Sequence, residues 1–183
     1  VHFVTGNHDF YPGSYLRDDI GIRCFDESHE FEIDGKRFFV AHGDGLAKTD
    51  RGYRLLKRVI RNKFSIFMFK TFIHPDLGMA IARWTSNSSR KMVKIEKHAW
   101  SEEYFQYARK KFKEGFDYVV LGHIHFPIQK KEEDGKTYVN CGDWMNYFTY
   151  ARYDGNELTL NHWEQQGDVP KVNEKDDGKE NRS

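Results

Sequence analysis

Three segments of this chain place side chains that can bind a metal directly after a short apolar run. They are HFVTGNHD at residues 2–9, RFFVAHGDG at residues 37–45 and DYVVLGHIH at residues 117–125. Each apolar run is typical of a buried strand, and the polar side chains follow where the strand would end. Imidazole rings and an amide oxygen held at strand ends suit a divalent transition metal such as manganese, iron or zinc. The repeated pattern therefore predicts a metal site assembled from separate parts of the chain.

The strands that would position these side chains are indicated by three Asp-Gly pairs. The pairs lie at residues 34–35, 134–135 and 154–155, and an Asp-Gly pair between apolar runs is a strong signal for a β-hairpin. The first hairpin delivers the strand RFFVA to His42, and a further strand is predicted at residues 118–121. Loops at one edge of a sheet bring distant parts of a chain together, so we expect the three motifs to converge.

Two helical segments separate the second and third motifs. Spacings of three and four predict one apolar helix face after residue 49. Its residues are Tyr53, Leu56, Ile60 and Phe64. The stretch FSIFMFKTF at residues 64–72 mixes aromatic and basic side chains, which suits an acyl-chain groove or a membrane surface, or else packing of this segment onto the domain. A second helix is predicted to begin near Ser101 and to stop at Gly115, a typical C-terminal residue.

The composition fits one globular domain and limits the classes of partner. The 183 residues carry 29 Lys plus Arg against 28 Asp plus Glu, a net charge of +1, which does not indicate a nucleic-acid-binding protein. Cys24 and Cys141 lie far apart and in no metal-ligand spacing, so a reducing, cytoplasmic setting is expected. No apolar run approaches the length of about 18 residues that indicates a membrane span. The polar residues 166–183 predict a disordered tail.

The order of the three motifs resembles the calcineurin-like metallophosphoesterases. GNHD, AHGD and GHIH match the last three of the five sequence blocks of that family. The resemblance implies that Asn7, His42 and His123 bind one metal ion and that His125 binds a second. We expect two divalent metal ions, with manganese as the first choice and iron or zinc as alternatives.

The resemblance also implies a hydrolytic mechanism. A metal pair activates water and absorbs charge while hydroxide attacks phosphorus. His8 corresponds to the histidine that contacts the phosphate or protonates the leaving group, and Asp9 is placed to orient its ring. General acid catalysis of this kind typically contributes about 10²- to 10⁴-fold.

Two of the family's blocks, DxH and GDxxD, are absent from this sequence. We therefore expect that a preceding segment of the natural protein supplies them, that the chain starts on the strand before the third block, and that it is inactive alone. The implied fold is α/β, an αββα sandwich of two mixed sheets with a helical cap insert and without its N-terminal part. Residues 1–48 and 98–165 would form the core, 49–97 the cap and 166–183 the tail.

The cap resembles the UDP-2,3-diacylglucosamine hydrolase branch of the family. Enzymes of that branch act in the cytoplasm at the inner membrane and cleave the pyrophosphate of a nucleotide-linked acylated sugar to a lipid monophosphate and UMP. The resemblance implies that the cap lines the acyl chains and contacts the membrane surface. The implied substrate-binding residues are Asp50, Tyr53, Ser88, Arg90 and Lys91. Arg90 and Lys91 suit a sugar phosphate, although a solvated basic loop is the alternative.

Two other functions remain open at this point. The first is a phosphodiesterase or phosphatase of the same family that acts on nucleotides or other phosphoesters. The second is a non-catalytic scaffold, because the 183 residues carry an incomplete ligand set. Metal content and substrate range would distinguish the three.

Overall fold

A computed structural model describes residues 1–9, 12–46, 54, 57–59, 61–74, 76–80, 83 and 97–163 of the chain. The predicted tail at 166–183 lies outside these ranges, as does much of the predicted cap. The individually predicted residues that also lie outside them are Asp50, Tyr53, Leu56, Ile60, Ser88, Arg90 and Lys91.

The centre of the fold is a five-stranded mixed sheet. Its strands are β3 (Ser28–Ile33), β4 (Lys36–Ala41), β5 (Tyr118–Leu121), β6 (Pro127–Lys131) and β7 (Thr137–Cys141). They are ordered β3-β4-β5-β7-β6, with β4, β5 and β7 parallel to one another and the two outer strands antiparallel. The C-terminal ends of the three parallel strands therefore lie at one edge of the sheet, where ligands commonly bind in α/β folds.

Two further strand pairs and three helices with defined bounds lie among the described residues, and residues 57–59 and 76–80 are also helical. The pairs are β1 (His2–Val4) with β2 (Arg23–Phe25), which are parallel, and β8 (Thr149–Tyr153) with β9 (Leu158–His162), which are antiparallel. The helices are α1 (Tyr15–Asp18), α2 (Lys63–Phe72) and α3 (Lys97–Lys113).

All three Asp-Gly hairpins are confirmed. They connect β3 to β4, β6 to β7 and β8 to β9. In the first, Asp34 and Gly35 have φ angles of 51° and 72°. Two consecutive positive φ values define a type I′ turn, whose twist matches that of the flanking strands and which favours Asp-Gly.

The two faces of the central sheet are buried by different layers. Neighbouring residues on a strand point to opposite faces, and Phe38 and Phe39 accordingly belong to separate hydrophobic clusters. Phe39 packs with side chains of α3, whereas Phe38 packs with Leu158 and Leu160 of β9. A helix thus covers one face and a second sheet covers the other, which confirms the predicted α/β class.

Helix α3 begins four residues earlier than the sequence pattern predicted. The expected start near Ser101 was wrong: the helix runs from Lys97 to Lys113. Trp100 packs against the core cluster and Tyr104, one turn later, is fully buried. Burial of this apolar face outweighs the capping preference of Ser101, since most helix stability in proteins comes from packing. The predicted stop is confirmed, with Gly115 at a φ angle of 91° just beyond the helix.

Helix α2 carries its phenylalanines on the surface. Asn62 caps the helix, because its side-chain oxygen accepts a hydrogen bond from the Phe64 backbone N–H. The four phenylalanines are 48–70% exposed. They are Phe64, Phe67, Phe69 and Phe72. In the described structure these rings are therefore available to a ligand or another surface. No helix within the described ranges has the length and apolar character that crossing a membrane requires.

Candidate metal centre

Three of the predicted ligands meet at the edge of the sheet. Nε2 of His42, just after β4, lies 2.8 Å from Oδ1 of Asn7, which follows β1. The same Nε2 lies 3.2 Å from Nδ1 of His123, which follows β5. The structure therefore brings together side chains that are 35 and 81 residues apart in the sequence.

The chemistry of this trio fits a divalent cation. Nε2 of His42 faces both partners, and if it donates a proton to the Asn7 oxygen it cannot also accept one from His123. Metal–ligand bonds of about 2.1 Å at right angles place two ligand atoms about 3 Å apart, close to both separations seen here. Among the described residues, no group of three His, Cys, Asp or Glu side chains could hold a metal. The trio has two such residues and an amide, so further ligands would have to come from elsewhere.

The GHIH loop is fixed to the sheet from three sides. The Gly122 N–H donates to the backbone oxygen of His42 at 3.0 Å, and Nδ2 of the buried Asn140 donates to the Gly122 oxygen at 2.6 Å. The Ile124 side chain is 1% exposed and belongs to the core. Asn140 was not predicted from the sequence, because nothing in its strand pattern distinguishes it from a structural residue.

Both histidines of this loop have a strained backbone. His123 and His125 have φ angles of 70° and 54°, a left-handed region that residues other than glycine rarely adopt. Such residues cost about 1–3 kcal/mol each and cluster at functional sites. The strain allows Ile124 to point into the core while the loop keeps both imidazoles at the sheet edge.

The GNHD turn packs closely against His42. A Cβ atom on Gly6 would lie 3.0 Å from Cε1 of His42 and 2.9 Å from Oδ1 of Asp9, so only glycine fits without displacement. Oδ1 of Asp9 accepts a hydrogen bond from the Gly6 N–H at 2.5 Å, which stabilises the turn. His8 is exposed. Its proposed contact with substrate, and its orientation by Asp9, stay predictions.

His125 contacts an acidic residue that the sequence analysis missed. Its Nδ1 lies 3.5 Å from Oδ2 of Asp143, whose side chain is only 6% exposed. Burial raises the pKa of Asp143, but hydrogen bonds from Asn146 and Met145 outweigh this effect and hold that pKa below its usual value. A carboxylate beside Nδ1 favours the tautomer of neutral His125 that carries its proton on Nδ1, which leaves Nε2 available to a metal. The sequence offered only the Gly-Asp pair in CGDWMN, and such a pair does not by itself indicate contact with a distant histidine.

Burial keeps the two central histidines neutral. Burial, the larger cause, and the neighbouring His42, the smaller one, lower the pKa of His123 from 6.5 to about 4. Burial also lowers the pKa of His42, with Asp44 and Asp9 opposing the shift. The Trp100 indole covers His123, with ring centroids 6.4 Å apart and planes inclined by 14°. Neutral imidazoles are the form that binds metals.

The lowered pKa of His123 makes the metal-free protein sensitive to acid. Below about pH 6.5 His123 binds a proton in the unfolded chain but not in the folded chain. The contribution of neutral His123 to the free energy of unfolding is therefore complete above pH 6.5 and is lost as the pH falls toward 4. We expect the free energy of unfolding in chelator to fall by about 2 kcal/mol between pH 7 and pH 4.5, after allowance for partial exposure. Urea unfolding of the His123→Gln variant should show a smaller pH dependence; an equal dependence would contradict this explanation.

Asp44, the last residue of AHGD, attaches the start of the predicted cap to the site. Its side chain is 4% exposed, and its Oδ2 lies 3.0 Å from Nζ of Lys57 and 3.7 Å from Nη2 of Arg61. Arg61 also donates to the backbone oxygens of Asp26, at 2.7 Å, and Gly6, at 3.3 Å. This role was not predicted from the sequence, because the basic residues after position 50 also fit a solvated helix face.

Comparison with known proteins identifies the family. Residues 1–127 match the family model described as calcineurin-like phosphoesterase. A protein of Porphyromonas gingivalis named UDP-2,3-diacylglucosamine hydrolase is 29% identical over 181 residues, covering 90% of this chain and 69% of the relative. Proteins of the same name from Proteus mirabilis and Pseudomonas putida are 26% and 27% identical; they are matched over 87% and 79% of this chain and over 68% and 61% of their own lengths. The chain thus spans 61–69% of these three relatives.

A solved structure is also similar. The solution NMR structure of a Thermotoga maritima protein is 18% identical, covers 86% of this chain and 61% of that chain, and has a TM-score of 0.35. A TM-score this low does not establish a shared fold. The family match extends over most of the chain and includes all three motifs, which confirms the resemblance and the metallophosphoesterase-type α/β fold predicted from them. The chain belongs to the calcineurin-like phosphoesterase family.

Proposed function

We propose that the natural protein is a metal-dependent hydrolase that cleaves the pyrophosphate of UDP-2,3-diacylglucosamine to a lipid monophosphate and UMP. The observation that carries the proposal is the convergence of Asn7, His42 and His123 at three strand ends, with separations of 2.8 and 3.2 Å. The named relatives support the substrate, because three of them carry the name of this hydrolase.

In this proposal each side chain has a defined task. Asn7, His42 and His123 hold one divalent cation, and His125, oriented by Asp143, binds a second. When bound, such a pair lowers the pKa of a water molecule and neutralises charge on the phosphoryl oxygens. Manganese is the proposed metal, with iron or zinc as alternatives.

The remaining steps belong to the chain's own polar and aromatic groups. The exposed His8 contacts the phosphate or donates a proton to the leaving oxygen, while Asp9 orders the turn that carries it. Trp100 covers one side of His123 and so limits the access of water there. Aspartates from the missing family blocks would complete the ligand set, and a segment before residue 1 is the proposed source.

The segment 49–97 is proposed to act as a cap on a core formed by residues 1–48 and 98–165. The phenylalanines of α2 would contact the acyl chains and the membrane surface, which agrees with their exposure and with Lys63 and Arg61 nearby. The proposed location is the cytoplasmic face of the inner membrane. Asp50, Tyr53, Ser88, Arg90 and Lys91 stay the predicted contacts to the nucleotide-linked sugar, and nucleic acid is not an expected partner.

Substrate range tests the proposal. The protein encoded by the complete gene is loaded with Mn²⁺, and its turnover is compared on UDP-2,3-diacylglucosamine, on bis-p-nitrophenyl phosphate and on cyclic nucleotides. Release of UMP from the lipid substrate is expected to dominate. Activity on the small esters alone would replace the lipid substrate with another phosphoester, and absence of both metal and turnover would favour a non-catalytic scaffold.

A polar substitution on α2 separates binding of the acyl chains from the chemical step. Phe67 is 60% exposed, and burial of such a ring against an acyl chain contributes about 1.5–3 kcal/mol. We expect Phe67→Ser to raise KM for the diacyl substrate by about tenfold or more while turnover of bis-p-nitrophenyl phosphate is unchanged. Ile20→Ser, at a residue 51% exposed outside α2, is the control and should change neither. An unchanged KM for Phe67→Ser would rule out this role of α2.

A further inference from the structure

Two tryptophans form an exposed aromatic surface beside the candidate metal centre. Trp144 lies on the loop after β7 and Trp163 lies directly after β9. Their side chains are 54% and 65% exposed, and their ring centroids are 5.8 Å apart with planes inclined by 46°. We call these two residues the indole pair. Large exposed rings side by side commonly mark a binding surface.

The indole pair is held in place by ordered structure. The Phe148 ring packs edge-on against Trp144, with ring centroids 6.4 Å apart, and the Tyr150 ring packs edge-on against Trp163, with ring centroids 6.2 Å apart. The backbone N–H of Trp163 donates a hydrogen bond to the backbone oxygen of Phe148 at 2.9 Å. Both indole side chains are therefore already ordered in the fold. A ligand that binds them loses little free energy to the immobilisation of side chains.

Asp143 connects the indole pair to the metal centre. Its carboxylate oxygen Oδ1 accepts hydrogen bonds from the N–H groups of Met145, at 3.0 Å, and Asn146, at 2.6 Å. Its backbone oxygen accepts from the Phe148 N–H at 2.9 Å. The other carboxylate oxygen faces Nδ1 of His125 at 3.5 Å. One buried residue thus fixes the loop that carries Trp144 and contacts a predicted metal ligand.

The position of the pair matches a substrate with two arms. The sheet order places β4 and β7 on opposite sides of β5, so His123 lies between the loops that follow these strands. The loop after β4 leads through Asp44 to Lys57 and α2, with its exposed apolar rings. The loop after β7 carries Trp144, and Trp163 at the end of β9 packs against it. A group cleaved at His123 can therefore extend one arm toward each surface.

The chemistry of the β7 side favours a planar ring with polar edges. Indole faces stack on nucleobases without regard to base identity, and the exposed Asn146 lies two residues after Trp144 in the sequence. The loop GDWMNYF at residues 142–148 has no Lys or Arg, whereas surfaces that bind anionic membranes are rich in both. The phosphates would be bound at the metal centre, so the indole pair need supply only ring contacts.

We propose that Trp144 and Trp163 form a stacking platform for the nucleobase of a nucleotide-linked substrate, the arm opposite to the acyl chains. The inference rests on the proposed function, because it assigns a subsite of that same reaction. It identifies the indole pair, on the loop after β7 and at the end of β9, as the part of the protein that contacts the nucleobase.

Binding of product nucleotide tests the platform. Calorimetry on the Mn²⁺-loaded protein from the complete gene compares UMP with ribose 5-phosphate, which has the phosphate and the sugar but no base. Stacking contributes about 1–3 kcal/mol per base, so Trp144→Ala should weaken UMP binding by about 5- to 150-fold. It should leave ribose 5-phosphate unaffected, whereas Trp144→Phe should retain most of the affinity. Tyr15→Ala removes a ring that is 62% exposed elsewhere and should change neither ligand.

The outcomes separate the platform from the proposed function. Equal UMP affinity of Trp144→Ala and the unsubstituted protein would show that the indole pair does not bind the nucleobase, while the proposed phosphate site at the metal centre would be unaffected. Failure of both ligands to bind the Mn²⁺-loaded protein would instead overturn the proposed function, and the platform with it. Indole fluorescence is recorded with phosphatidylglycerol vesicles in place of nucleotide. A blue shift that Trp144→Ala and Trp163→Ala abolish would assign the pair to a membrane and overturn the nucleobase role.

Discussion

Replacement of His123 by glutamine is expected to weaken Mn²⁺ binding by at least about 100-fold, because loss of groups that merely orient a ligand already costs 10- to 100-fold. Hydrolysis of the proposed pyrophosphate substrate should fall with it. The expectation rests on the position of His123, whose Nδ1 lies 3.2 Å from Nε2 of His42 at the end of the central strand. Glutamine keeps a polar side chain but offers no imidazole. Calorimetric titration with Mn²⁺ and elemental analysis of the purified protein give the metal affinity independently of turnover.

A matched histidine separates ligation from general effects. The His74 side chain is 75% exposed and pairs with Asp76, and it is not one of the proposed ligands, so His74→Gln should retain metal and activity. Thermal unfolding in chelator establishes that His123→Gln is folded. If this variant binds Mn²⁺ as tightly as the unsubstituted protein while it remains folded, His123 is not a ligand and the proposed centre is wrong.

The hairpins and the strand at residues 118–121 could be predicted from local patterns in the sequence. Each Asp-Gly pair forms the predicted hairpin, and the strand predicted at residues 118–121 has those bounds. These features depend on neighbouring residues, so the sequence contains most of the relevant information. His42 and His123 lie together because β4 and β5 are parallel neighbours that end at one edge of the central sheet, whereas Asn7 reaches the same place from the separate β1–β2 pair.

Features that depend on packing were not predicted. Helix α3 begins at Lys97 and not near Ser101, because Trp100 and Tyr104 bury one face of the helix. Asp143 and Asp44 looked like ordinary polar residues after glycine, and their importance appears only when His125 and Lys57 are placed beside them. Neither of these two contacts with residues distant in the sequence follows from a local pattern.

The second large effect is expected at Asp44. Its side chain is 4% exposed and faces Lys57 and Arg61, whose side chains are 20% and 16% exposed. Removal of one partner from a buried ion pair typically costs about 3–5 kcal/mol because the remaining charge loses its compensation. We expect Asp44→Asn to lower the free energy of unfolding by about 3 kcal/mol, near the lower end because both cations keep some contact with water. Urea unfolding measures the loss.

The control for Asp44→Asn is an ion pair of the same type on the surface. Arg17 and Asp18 lie 2.8 Å apart with side chains 69% and 54% exposed, and exposed pairs contribute little. Asp18→Asn should therefore leave the unfolding midpoint nearly unchanged. Because Arg61 also donates to the Gly6 oxygen of the GNHD turn, release of Arg61 should loosen that turn and weaken Mn²⁺ binding as well. Equal midpoints for the two variants would show that Asp44 does not connect the segment after residue 50 to the metal centre.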